Sequence, residues 1–176
     1  MSIVIKQPDY PPPNGTPAYR EPSVITDFII HHEDGILSET PIQVDAQHRA
    51  QGWDMIGYTW VIGEDGTIYQ GRPVNMVPSA AYGRNAQSVD VSLTGDFQPG
   101  TPGYNGSPTL AQIKSLKELC LYAHQTIPTI ERTIGHRDVA TMFYPDDTGD
   151  YSTDCPGTTL WLLIPEIRAY VSANLK

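Results

Sequence analysis

Between Thr109 and Gln125 the apolar residues Leu110, Ile113, Leu116, Leu119, Cys120 and Ala123 recur at three- and four-residue spacing. That spacing predicts a helix over 110–125 with one buried stripe, and Thr109 stands where an N-cap belongs. A helix that is apolar on one side needs a second layer to cover it. Short β-rich runs at 24–31, 58–62, 67–70, 89–97 and 133–135 supply that layer. Gly63-Glu64-Asp65-Gly66 reads as the turn of a hairpin between the second and third runs. Thr40-Pro41 opens a further helix, with Thr as N-cap and Pro at the first helical position, running to Gln51 and stopping at Gly52. A terminal helix is expected over 158–175, bent by Pro165. The expected fold is α/β: one mixed central β-sheet flanked by helices in a single domain.

Residues 7–22 hold six prolines and read as an extended arm, so the chain divides into a Pro-rich N-terminal arm, 1–23, and a domain over 24–176. With 176 residues the chain is long enough to bury a core without disulfides. A net charge of -9 disfavours nucleic acid and anionic surfaces as partners. Cys120 lies in an apolar helical run and reads as a core thiol, while Cys155 lies in a Thr-Asp-Cys-Pro-Gly loop. A disulfide between them is the alternative. Pro8, Asp9 and the 11–13 proline run cut off any apolar leader after Ile3-Val4-Ile5, and no run approaches the length of a membrane helix. The expectation is a chain made in the cytoplasm without a signal peptide.

Three of the five histidines, His31, His32 and His136, stand where β-rich runs end, and Cys155 also stands on a loop. Polar residues mounted at strand ends are the usual material of sites. Two imidazoles and one thiolate match a zinc site with three protein ligands and an open fourth position, which is what metal-assisted hydrolysis uses. Each histidine taken singly is more simply a structural residue, so the pattern alone leaves both readings open.

Seven ordered segments add to it: 28–32 (FIIHH), 51–53 (QGW), 56–62 (IGYTWVI), 64–72 (EDGTIYQGR), 92–97 (SLTGDF), 135–139 (GHRDV) and 154–157 (DCPG). Together they resemble the type-2 N-acetylmuramoyl-L-alanine amidases, the family of phage lysozyme-like amidases and peptidoglycan recognition proteins. The resemblance runs from about Ile25 to the terminal helix. It implies His31, His136 and Cys155 as zinc ligands. Family members that lack this Cys bind without hydrolysing, so Cys155 implies an enzyme. Tyr58 matches a Tyr beside the metal, and Thr153 a Lys-or-Thr position, so both are expected to serve the developing oxyanion. The implied reaction cuts the amide between N-acetylmuramic acid and L-alanine in peptidoglycan.

The chain also departs from the family. Eighteen residues separate His136 from Cys155, where seven are usual, so a segment around 142–151 must loop out and return. Thr59 follows Tyr58 in place of His or Asn, Ala80 or Ala81 replaces a cleft-wall His, and Asp90 stands where the family has Gly. His32 is read as a neighbour of the ligands, while Trp53, Arg72 and Asn85 either line a substrate groove or serve the fold. His48 is read as making a structural hydrogen bond and His124 as a helix-end residue without chemistry. Asp146, Asp147 and Asp150 form either a solvated acidic loop or a cation site. The functional expectation is a monomeric phage or prophage endolysin reaching the wall through a holin. The rivals are a muropeptide-binding module that does not cut, and a bacterial recycling or toxin amidase.

Overall fold

The structure, a computed structural model, describes residues 3–146, 149 and 151–176. Six strands form one sheet: β1 (Ile5–Lys6), β2 (Asp27–His32), β3 (Trp60–Ile62), β4 (Ile68–Gln70), β5 (Ser88–Leu93) and β6 (Arg132–Gly135). Their spatial order is β1-β4-β3-β5-β2-β6. Only β3 and β4 pair antiparallel, through the expected hairpin; the other pairs are parallel. The sheet is therefore mixed, and the carboxyl ends of β2, β5 and β6 lie along one edge. In open α/β sheets that edge is where ligands bind.

Alternation along β2 and β5 decides what each face carries. Phe28, Ile30, Val89, Val91 and Leu93 join a core with Leu116, Leu119, Ile164 and Ile167 on one face. These helical residues belong to α2 (Leu110–Thr126) and α5 (Ile164–Asn174). The opposite alternation, Asp27, Ile29 and His31 on β2 and Ser88, Asp90 and Ser92 on β5, is polar apart from Ile29 and yet buried. It lies under α1 (Pro41–Ala50), the 53–58 segment and the 80–81 turn. Buried polar groups must be hydrogen-bonded, so this second face is a network rather than a second oily layer.

Local signals explain the helices. Thr40 and Thr109 each accept from the backbone N–H three residues on, and Gln43 and Gln112 reach back to complete capping boxes. The buried side of α2 carries Gln112, Leu116, Leu119, Cys120 and Ala123, whereas Leu110, expected in the stripe, is 86% exposed.

Several expectations change, and the strand expected at 89–97 ends at Leu93. The strand expected at 24–31 begins at Asp27, because Pro22–Val24 form a 3-10 turn closed by Ile25 N–H to the Pro22 carbonyl. The loop expected from 138 begins as α3 (Asp138–Phe143), with Val139 buried against Ile29 and Ile134. The terminal helix is divided into α4 (Thr158–Trp161) and α5 at 162–163, just before Pro165. Ahead of the proline run, Ile5–Lys6 form the edge strand against β4. Arg20 further ties the arm to the carbonyls of Asn85 and Ser88.

Candidate metal centre

Parallel pairing in register sets His31 and His136 side by side. Ile30 is opposite Gly135 across β2 and β6, so the next residue of each strand faces its counterpart at the sheet edge. The two imidazole centroids are 4.7 Å apart. Cys155 closes the group: its Sγ lies 3.5 Å from His31 Nδ1, and one ligand-type atom from each of His31, His136 and Cys155 falls within 4.8 Å of the others.

The motif residues around these three explain how Cys155 is held. Arg137 donates its backbone N–H to the Cys155 carbonyl at 2.7 Å, and its guanidinium caps the Asp154 carbonyl. Asp138 accepts from Gly135 N–H and from the Trp161 indole, both at 2.8 Å. A Cβ on Gly135 would sit 2.9 Å from Pro156 Cδ, and one on Gly157, at φ 80°, would sit 2.4 Å from the Phe97 carbonyl carbon. Both glycines allow the Cys-Pro-Gly loop to lie against the sheet end.

A cleft of roughly 360 Å³ opens over this group, lined by His31, His32, Tyr58, His136, Thr153 and Cys155 among others. Tyr58 is buried beside His31, with ring centroids 5.3 Å apart, and lies next to Ser92. Ser92 Oγ donates to Glu33 at 3.2 Å. Thr153 Oγ1 accepts from Cys155 N–H at 3.1 Å, which fixes the hydroxyl in the loop and leaves its proton for another acceptor.

The two histidines have opposite electrostatics. Burial acts to lower the His31 imidazole, but the Cys155 sulfur and Asp90 outweigh it and push it up to about 10. His136 is lowered to about 3 by burial and by the neighbouring His31 and His32. His136 is thus neutral, as a metal ligand must be, while His31 would exchange a proton for a cation. Burial beside Glu39 pushes Glu33 up to about 8, and burial lifts the Tyr58 phenol well above its ordinary range. Two nitrogen donors and one sulfur donor fit zinc in number and type.

His32 lines the cleft but its Nδ1 accepts from Phe97 N–H at 3.1 Å, consistent with a supporting position. It forms a second group with Asp34 and Asp96. Asp96 is already engaged, accepting from Gln98 N–H and the Thr101 hydroxyl. Three sequence-predicted residues are not brought to the metal group. Arg72 is 2% exposed, with its guanidinium spent on the carbonyls of Ile56 and Val77 and on Asp54. Asn85 Oδ1 accepts from Ala80 and Ala81 N–H, holding the cleft wall from behind. Trp53 stacks on His48 at 4.3 Å. His48 in turn accepts from Gly57 N–H and touches the Tyr58 ring, so Trp53 backs Tyr58 at one remove. His124 hydrogen-bonds Thr133 at 3.0 Å. Both cysteines are free thiols. Of the three aspartates proposed for a cation, Asp146 is exposed, and Asp147 and Asp150 lie outside the described residues.

The long segment before Cys155 is fastened at its described ends. Phe143 lies under the guanidinium of Arg84 at 4.0 Å. Tyr144 stacks on Tyr151 at 3.8 Å and 5°, Tyr82 stacks on Tyr151 at 5.3 Å, and Tyr144 donates its hydroxyl to the Gly83 carbonyl at 2.9 Å. Sequence reasoning gave no site role to Asp90, Ser92 or Glu33. The alternation Ser88-Val89-Asp90-Val91-Ser92-Leu93 was the available signal, since a strand polar on one side needs water or a site there.

This is a mixed-sheet fold of the amidase and peptidoglycan-recognition type, with a three-ligand group at the parallel strand ends. Residues 21–158 match the family model for N-acetylmuramoyl-L-alanine amidase, and the chain belongs to that family. It is 31% identical over 158 residues to peptidoglycan-recognition protein SC2 of Drosophila simulans, covering 84% of this chain and 75% of the relative. Over 99 residues it is 36% identical to the endolysin of Klebsiella phage KP32, covering 56% of this chain and 64% of that protein. In structure it is similar to N-acetylmuramoyl-L-alanine amidase LysC from Clostridium intestinale URNW, with a TM-score of 0.78 and 29% identity over 99% of this chain and 100% of that one. At 23% identity and a TM-score of 0.71, Drosophila peptidoglycan recognition protein SD shares the fold, covering 89% of this chain and 88% of that one.

Proposed function

We propose that the protein is a zinc-dependent amidase that hydrolyses the bond between N-acetylmuramic acid and L-alanine, and that it works as a phage or prophage endolysin. The observation that carries the catalytic reading is the convergence of His31, His136 and Cys155 at an open cleft beside the Tyr58 hydroxyl. A zinc ion held by these three would polarise the scissile carbonyl and make water nucleophilic near neutral pH. Tyr58 stands next to that position with its proton retained, suited to donate to the developing oxyanion. The Thr153 hydroxyl adds a second donor from the loop that carries Cys155. The Glu33–Ser92 pair lies beside Tyr58. Family relatives that are endolysins and clostridial amidases support the lytic role. In that role the chain acts on peptidoglycan after release from the cytoplasm through a holin.

The test is digestion of purified peptidoglycan, followed by mass spectrometry of the fragments and metal analysis of the protein. The expected result is free stem peptide with an L-alanine N-terminus, one zinc per chain, and loss of activity in Cys155→Ala. Full turnover by Cys155→Ala would remove the zinc reading. Tight muropeptide binding with no new amine would instead make the protein a recognition module.

A further inference from the structure

We propose that Asp90 is a positioning residue that orients the His31 ligand and selects the nitrogen it presents to the metal, which rests on the zinc reading above. Asp90 is the residue that stands where the resemblance expects glycine. It sits in the middle of β5, opposite Ile29 in the parallel register, on the same polar face as His31. Its Oδ1 is 2.7 Å from His31 Nε2, and both side chains are buried. Oδ2 accepts from the Ser88 hydroxyl at 2.6 Å. The backbone N–H of Asp90 donates to Thr59 Oγ1 at 3.2 Å, and Arg20 reaches the Ser88 carbonyl nearby.

A carboxylate facing a ring nitrogen is an acceptor, so Nε2 keeps its hydrogen. The lone pair is then left on Nδ1, the atom that faces Cys155 Sγ. The ring is also fixed in angle, because Ser88 holds the second carboxylate oxygen and the strand register holds the first. A glycine at this position would leave Nε2 without this acceptor. Such carboxylate–histidine–metal chains raise ligand basicity, and losing the outer partner costs about 10- to 100-fold in metal affinity.

The experiment measures zinc affinity of the full chain by competition with a chromophoric chelator, for the wild type, Asp90→Gly and Asp90→Asn. Circular dichroism of the metal-free proteins establishes that each variant is folded. Asp90→Gly, which removes the acceptor, is expected to lose about 10- to 100-fold in affinity. Asp90→Asn retains an acceptor oxygen and is expected to lose less. In the zinc-loaded wild type, long-range proton–nitrogen NMR correlations are expected to place the His31 hydrogen on Nε2. Folded variants that hold zinc within about twofold of the wild type, against the losses typical of such partners, overturn the proposal, as does a hydrogen found on Nδ1. If Asp90→Gly does not fold, Asp90→Asn and the NMR assignment decide. A wild type that binds no zinc overturns the metal reading itself, whereas retained affinity in the variants overturns only the role of Asp90.

Discussion

His31 Nδ1 lies 3.5 Å from Cys155 Sγ, although they stand 124 positions apart in the chain. The contact is made from two directions. The β2 register against β5 and β6 delivers the imidazole, and the backbone clamp of Arg137 and Asp138 delivers the sulfur. Each direction can be perturbed separately.

Replacing Tyr58 by Phe keeps the ring between His48 and His31 and removes only the hydroxyl. If that hydroxyl serves the oxyanion, kcat falls by about 10²-fold with KM nearly unchanged. Zinc content by mass spectrometry stays at the wild-type level. A KM rise with kcat intact would instead assign Tyr58 to substrate binding.

His48 is lowered to about 4, chiefly by burial, with Asp45 opposing and Arg72 assisting. The unfolded imidazole takes up its proton near 6.5, so between pH 6.5 and 4 the unfolded state binds more protons. This contribution is fully present above pH 6.5 and is lost as pH falls through about 4, amounting to as much as about 3 kcal/mol. Urea unfolding of the metal-free protein should show it. His48→Asn, which keeps an acceptor for Gly57 N–H, should flatten the slope in that window. An unchanged slope rules out His48 as the source.

Asp27 is fully buried and carries both Arg84 and Arg132 on its two oxygens. Asp27→Asn strips the charge while two guanidiniums remain. The arginine heads are partly solvated, so the expected loss is at the low end for broken buried pairs, about 2–3 kcal/mol in urea unfolding. Zinc affinity should hold, because Asp27 stands at the far end of β2 from His31.

Tyr144 joins the segment before Cys155 to the Tyr82-Gly83 turn by stacking and by its hydroxyl. Tyr144→Ala is expected to cost about 1 kcal/mol from the lost aromatic pair. It should also speed proteolytic cutting between α3 and Cys155. Cleavage at the wild-type rate would show that the stack does not secure this segment.

Much of the fold was legible because its signals are local. Thr40 and Thr109 announce their helices through side chains that reach only three residues. The hairpin at 63–67 is closed by Gly63 N–H to Thr67 and by Asp65 with Thr67. β1 was not legible, since two residues carry no periodicity and gain their pairing only from β4, more than sixty positions away. Nor was α3, a six-residue helix that depends on Val139 finding a buried seat against Ile29 and Ile134. Arg72 and Trp53 carried motif resemblance but no information about which way they face; packing turned one into a backbone staple and set the other behind His48.

The amino-acid sequence by itself supplied the candidate donors His31, His136 and Cys155, through ordered motifs that resemble the amidase family, and the glycines at 135 and 157 that let the loop close, because motif order and residue type are properties of the chain alone. Only the tertiary structure decided which nitrogen of His31 meets the sulfur and that Asp90 stands behind the other. Those depend on the register of β2 against β5, and a slip of one residue would turn every side chain of the strand to the opposite face.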